Sequence, residues 1–223
     1  MAEKAIKMVK NSKTDEIIPF IVSKFDDEKE GLKALISVQT QMKDIGGGYP
    51  PVGEQIKTID EIISYSEKAI DYALEKGNKL TAGILNHNVA SFCFPNMDEG
   101  VDERLIEPGY IAAINDYKLR KEIDDLIPLL WAKWLLGVAE FIKGDTEKGI
   151  NTLEETAKTA SIDEKTKSIE SWSKLMIGKF YFKSDPNKRN LAIEVLEEVK
   201  GEFTLQEDKW GLDTLEGIMK TYF

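Results

Sequence analysis

The 223-residue chain has one cysteine, Cys93, and one histidine, His87. A lone thiol excludes an intramolecular disulfide and suits a reducing compartment, so a cytoplasmic location is expected. A lone histidine removes His-pair zinc sites, the H-E-x-x-H arrangement and di-iron bundles built on paired Glu-x-x-His elements. No run of Lys or Arg occurs, and 40 acidic residues against 30 basic ones leave a net charge of −10. That charge repels phosphate backbones, so neither nucleic acid nor an anionic membrane is expected as a partner. Long apolar runs are also lacking. The most apolar segment, 126–142, carries Pro128, Lys133 and Glu140 and is shorter than a bilayer crossing needs. Met1 to Lys10 mixes Glu3 with Lys4, Lys7 and Lys10 and has no secretory h-region, so no export is expected.

Strand-like alternation is scarce as well, whereas apolar residues recur at three- and four-residue steps almost throughout, which predicts an all-α fold. The clearest stripe is Ile59, Ile62, Ile63, Ser66, Ala69, Ile70 and Ala73, on a helix over 55–76 that Gly77 and Asn78 stop. Further helices are predicted over 15–24, with Pro19 in its first turns, and over 27–44, 79–94, 108–120, 123–143, 146–160, 163–183, 186–200 and 207–222. After residue 120 the joints are short: Gly144-Asp145, Ser161-Ile162 and Ser184-Asp185. Short joints make successive helices antiparallel neighbours. Two longer joints, 46–53 and 95–107, precede them. One helical domain over 1–223 is the simplest reading. A sub-boundary at 95–107 would separate an irregular part, 1–94, from a repeat-like part, 108–223.

In the last helix pair Ile177 and Gly178 are followed three residues on by Tyr181, and Ala192 is a small residue of the second helix once two residues around Pro186 are allowed for. In the pair before it stand Leu136 and Gly137, with Gly144-Asp145 at the turn and Glu140 where an aromatic would fall; Trp134 and Phe141 offer a competing register. Over 129–199 this pattern resembles degenerate tetratricopeptide repeats, helix pairs with small residues where the helices cross. Gly137 and Gly178 are 41 residues apart, wider than that family's period of about 34, so the repeats would be irregular. Asn88, Val89 and Ala90 echo the same step earlier. The resemblance implies antiparallel helix pairs stacked as a short right-handed solenoid, a closed helical bundle being the alternative. It also implies a concave groove that receives a peptide or protein segment. Glycine inside a helix costs about 1 kcal/mol against alanine, so Gly137, Gly149 and Gly178 are expected at close helix crossings.

Catalytic signatures fail one by one. His87 and Cys93 are six helical residues apart and point in different directions, so they form no dyad; Cys93 between Phe92 and Phe94 reads as a small core residue. Gly46 to Gly48 lacks the Gly-Lys-Ser/Thr of a phosphate loop and runs into Tyr49-Pro50-Pro51. The acidic stretch from Asn96 to Glu107 puts Val101 where a calcium loop needs glycine. Adjacent pairs such as Asp124-Asp125 and Glu197-Glu198 diverge on a helix. The chain is therefore expected to be no enzyme and to need no cofactor or metal. It is read as a scaffold or adaptor, the alternative being a small-molecule sensor or an enzyme-supporting subunit with an apolar pocket beside the Trp131/Trp134 helix. Core packing or a groove-lining indole would each account for those tryptophans. The expected partner-binding residues are Asn86 and Asn88, with Lys133, Trp134, Lys174 and Lys179 on first helices of the pairs. The apolar last helix, with Trp210, Leu212, Leu215, Ile218 and Met219, caps the last pair or joins two monomers into a homodimer.

Overall fold

A computed structural model of the chain describes residues 1–11, 13–46, 54–98 and 101–222. The described residues are all-α: α1 Ala2–Lys10, α2 Thr14–Val22, α3 Glu28–Gly46, α4 Glu54–Glu75, α5 Lys79–Cys93, α6 Glu103–Ile123, α7 Leu126–Ile142, α8 Thr146–Ala160, α9 Lys167–Ser184, α10 Arg189–Leu205 and α11 Lys209–Tyr222. Short 3-10 turns stand at Pro95–Asp98, Glu164–Thr166 and Pro186–Lys188. No described helix is long and apolar enough to cross a membrane. The glycine-proline joint, Gly47 to Gly53, lies outside the described residues. One element escaped the sequence reading. Met1 to Lys10, read only for a missing signal, forms α1, which buries Ala2, Ala5, Ile6 and Met8.

By internal packing the chain divides into two compact units, Met1–Asp125 and Leu126–Phe223. In the first, α1 to α4 pack on one another and α5 joins them through α3 and α4, with α6 laid along α5. The long joint 95–107 lies inside this unit; its Asp102 caps α6 by accepting from the Arg104 amide at 2.9 Å. The α4 stripe is buried at Ile59, Ile62, Ser66, Ala69 and Ala73, with Tyr65 beside them. Gly77 ends α4 with φ +68°, and the Asn78 amide donates to Ala73 O at 2.8 Å, a left-handed stop that glycine adopts without a Cβ clash. Proline does not begin α6: Pro108 lies inside it, and the helix starts at Glu103.

The second unit repeats one hairpin. Lys133 meets Glu155, and Gly137 meets Gly149 and Leu153, so α7 and α8 run antiparallel. Lys174 meets Glu198, and Gly178 meets Ala192 and Leu196, in the same antiparallel sense between α9 and α10. Trp131, Lys133 and Gly137 recur as Trp172, Lys174 and Gly178, 41 residues on; Gly149, Leu153 and Glu155 recur as Ala192, Leu196 and Glu198 two residues later still. The extra two residues fall around the Pro186–Lys188 turn. Ring contacts Trp134–Trp172 and Phe141–Phe180 link α7 to α9, and Trp172–Trp210 and Phe182–Tyr222 link α9 to α11. Their near-constant sequence offset makes α7, α9 and α11 parallel neighbours.

Glycine sets the crossings. A Cβ on Gly149 would lie 2.7 Å from the carbonyl oxygen of Gly137 and 2.7 Å from the amide nitrogen of Phe141, both backbone atoms. Gly137 would meet Leu153 at 2.9 Å and Gly178 would meet Leu196 at 2.9 Å. Gly201, in the exposed middle of α10, has nothing within 4 Å of such a Cβ. In urea denaturation Gly149→Ala is therefore expected to lose about 1–3 kcal/mol through overpacking. By the same measurement Gly201→Ala gains about 0.5–1 kcal/mol, because alanine loses less backbone entropy in a helix.

Candidate functional site

Four tryptophans run along the row α7, α9, α11. Trp131 and Trp134 stand edge to face with centroids 5.6 Å apart, Trp134 and Trp172 likewise at 6.4 Å, and Trp172 reaches Trp210 at 4.5 Å. The inner two are buried, and their indole N–H groups are satisfied: Trp134 Nε1 donates to Trp172 O at 3.2 Å and Trp172 Nε1 to Asp208 Oδ2 at 3.1 Å. The outer two reach the surface, Trp131 half-buried and Trp210 65 % exposed. A row of indoles fixed at its centre and open at its ends offers rigid apolar anchors that lose little side-chain entropy on binding.

The first-helix lysines are tied to the second helices. Lys133 Nζ donates to Glu155 Oε2 at 2.8 Å. Lys174 Nζ lies 2.9 Å from Glu170, 2.7 Å from Glu198 and 2.6 Å from Glu202. Glu202 also accepts from Ser171 Oγ at 2.6 Å, and Gln206 donates to the same hydroxyl at 2.8 Å. Burial pulls the Lys174 pKa down, but hydrogen bonds to Glu198, Glu202 and Glu170 outweigh it and hold the ammonium above the ordinary lysine range. Burial likewise pushes the Glu170 carboxyl up, and hydrogen bonds from Lys167 and Lys174 bring it below the usual carboxylate range. Lys179 is 2 % exposed. Glu140, at the place of a repeat aromatic, is buried and held by Thr152 Oγ1 at 2.6 Å and Lys148 Nζ at 2.9 Å.

Between α10 and α11 lies an apolar groove of about 370 Å³, lined by Leu196, Leu212, Leu215 and Met219 with Glu197, Lys200 and Glu216 at its rim. It does not adjoin the Trp131/Trp134 helix, where the sequence reading placed a pocket.

The two asparagines belong to the first unit. Asn86 is buried and donates to Ala82 O at 2.9 Å on its own helix. Asn88 Nδ2 donates to Gln39 Oε1 at 2.9 Å, while Gln39 Nε2 donates to Ser66 Oγ at 2.7 Å and Leu85 O at 3.0 Å. This chain of amides ties α3, α4 and α5 together. Nearby, His87 Nδ1 is 2.9 Å from Asp116 Oδ2, and Arg120 Nε donates to Asp116 Oδ1 at 3.0 Å. Gly83 makes room for that cluster, since a Cβ there would lie 3.1 Å from Arg120 Nε. Cys93 is fully buried, and burial pushes its thiol up to about 12.

The predicted site residues thus fall in three places: Asn86 and Asn88 inside the first unit, Trp134 and Lys179 inside the second, and Lys133 and Lys174 in ion pairs. Sequence reasoning missed the His87–Asp116–Arg120 cluster and gave Trp172 no role. The i,i+4 spacing of Asp116 with Arg120 and the 41-residue offset of Trp172 from Trp131 were the available signals. No family model matches the chain, and no curated protein matches it.

Lys174→Met leaves three carboxylates at close quarters, and in chemical denaturation at pH 7 it is expected to cost about 1–3 kcal/mol. The stability that Glu170 contributes through its depressed pKa is present above the ordinary carboxylate range and is lost as pH falls through the lowered value, so the deficit shrinks in acid. Cys93 is expected to resist a thiol reagent at pH 8 in the folded protein and to react fully once denaturant is added.

Proposed function

We propose that the second unit is a helical-repeat interaction module that holds a peptide or protein segment against the row α7, α9, α11. The observation that carries this reading is the indole row, buried at Trp134 and Trp172 and surfacing at Trp131 and Trp210. Support comes from the repeated hairpin, whose Leu136-Gly137 and Ile177-Gly178-Tyr181 steps resemble tetratricopeptide repeats and whose glycines seat the second helices. In that family the row of first helices lines the binding groove, and stacking generates an extended surface.

The paired lysines alter the expected chemistry of recognition. Lys133 and Lys174 already neutralise glutamates of α8 and α10, so apolar and aromatic side chains of the partner supply the contacts, and charge supplies register. A cytoplasmic, non-enzymatic adaptor acting as a monomer or homodimer fits this reading.

The test is selection of a random peptide library on the full chain, followed by tryptophan-fluorescence titration of the enriched peptides. Peptides sharing an apolar motif, and an affinity that falls about ten-fold or more with Trp131→Ala or Trp210→Ala but not with Ile162→Ala, are the expected result. Enriched peptides that bind all three variants equally would refute the row as the binding surface.

The groove between α10 and α11 favours a second reading, a small apolar ligand, because its 370 Å³ falls in the range of small-molecule sites. A metabolite that raises the melting temperature of the wild type, and not of Leu212→Trp, would promote it.

A further inference from the structure

The His87 cluster belongs to the first unit, and the interaction surface proposed above to the second. Asp116 is sealed from solvent, with 1 % of its side chain exposed, and Arg120 beside it shows 7 %, whereas the His87 side chain is 32 % exposed. Asp116 already accepts from the Arg120 guanidinium at Oδ1, and with the carboxylate as acceptor on both sides the hydrogen between it and the imidazole is assigned to Nδ1. That bond fixes the tautomer and leaves the lone pair of the neutral ring on Nε2. The arrangement is built by spacing on two helices: Gly83 and His87 one turn apart on α5, Asp116 and Arg120 one turn apart on α6. Gly83 is the feature that admits the Arg120 side chain to Asp116.

An imidazole held in this way is a nucleophile poised to become a cation. Attack through Nε2 on an electrophile leaves Nδ1 protonated and puts a positive charge on the ring, which the Asp116 carboxylate, 2.9 Å away, offsets. The cluster then holds two cations, the ring and Arg120, against one anion. An uncharged adduct would leave that excess uncompensated next to a buried ion pair, and a negatively charged adduct offsets it.

We propose that His87 is a phosphoryl-accepting residue that takes a phosphoryl group on Nε2 from a phosphoramidate or acyl-phosphate donor. The Nε2 lone pair forms the N–P bond. The bond from phosphorus to the donor's leaving group breaks, and that group departs with the electron pair, an acyl phosphate releasing a carboxylate anion and a phosphoramidate releasing an amine that takes a proton from water. Nδ1–H stays in place on Asp116 throughout, so Asp116 and Arg120 are positioning residues. Ring exposure suits a donor that approaches from solvent, and the charge added lands on the α5–α6 face of the first unit, where it would act as a mark for regulation.

The experiment incubates the full chain with inorganic phosphoramidate and follows the gain of one phosphoryl group by intact mass, with phosphorus NMR to tell the two ring isomers apart. An unstructured peptide of residues 83–91 is the reference. Label on Nε2 alone, forming at least about ten-fold faster than in the peptide, is expected. His87→Gln abolishes it, and Asp116→Asn brings the rate down to that of the peptide while circular dichroism reports on the fold. Label on Nδ1, or a wild-type rate no greater than the peptide's, overturns the proposal, and neither readout depends on the folding of a variant.

Discussion

The second unit depends on two backbones touching. At the crossing of α7 and α8, Gly149 approaches the Gly137 carbonyl and the Phe141 amide so closely that no side chain fits between them. Removing both Cβ atoms lets the helices approach, and the surrounding Leu153 then packs against bare helix surface. Everything else in the hairpin follows from that distance. Lys133 reaches Glu155, and Thr152 and Lys148 reach the buried Glu140. One hairpin later the same device recurs in relaxed form: Ala192 stands for Gly149, and Leu196 fills the space above Gly178.

Once the pairs are set, the first helices become neighbours and their aromatic residues meet. Trp134, Trp172 and the Phe141–Phe180 stack are therefore consequences of the hairpin geometry as much as of hydrophobicity. Aromatic pairs of this kind contribute about 0.5–1.5 kcal/mol each beyond their buried area. They also impose an order on the row: its centre is buried and hydrogen-bonded, and its ends are available. The proposed binding role uses the ends, and the glycine-seated crossings hold them in position.

Fold class was legible because a three-to-four-residue period is a direct readout of one buried helix face, as Ile59 to Ala73 shows. The glycines were legible for a similar reason, since a mid-helix glycine has a cost that packing must offset, and each of Gly137, Gly149 and Gly178 sits at a contact. Side-chain partners were not legible. Lys133 and Lys174 read as partner-binding cations on first helices, yet they meet glutamates of the following helices, Glu155 and Glu198, more than 20 residues away. Asn86 and Asn88 were read as partner-binding residues; the fold gives the buried Asn86 amide a bond to Ala82 O and the half-buried Asn88 amide a bond to Gln39, partners that no spacing in the sequence announces. His87 was weighed for metal sites and against Cys93, six residues on, while its partner Asp116 lies one helix further along.

The central claim is that Gly137 and Gly149 are two halves of one contact. A double-mutant cycle in urea, with Gly137→Ala, Gly149→Ala and both together, measures it. If the first alanine forces the helices apart, the second finds room, and the pair costs less than the sum of the single changes by about 1 kcal/mol or more. Costs that add within about 0.5 kcal/mol would mean that the two glycines act independently, and the shared crossing on which the rest of the unit is built would be wrong.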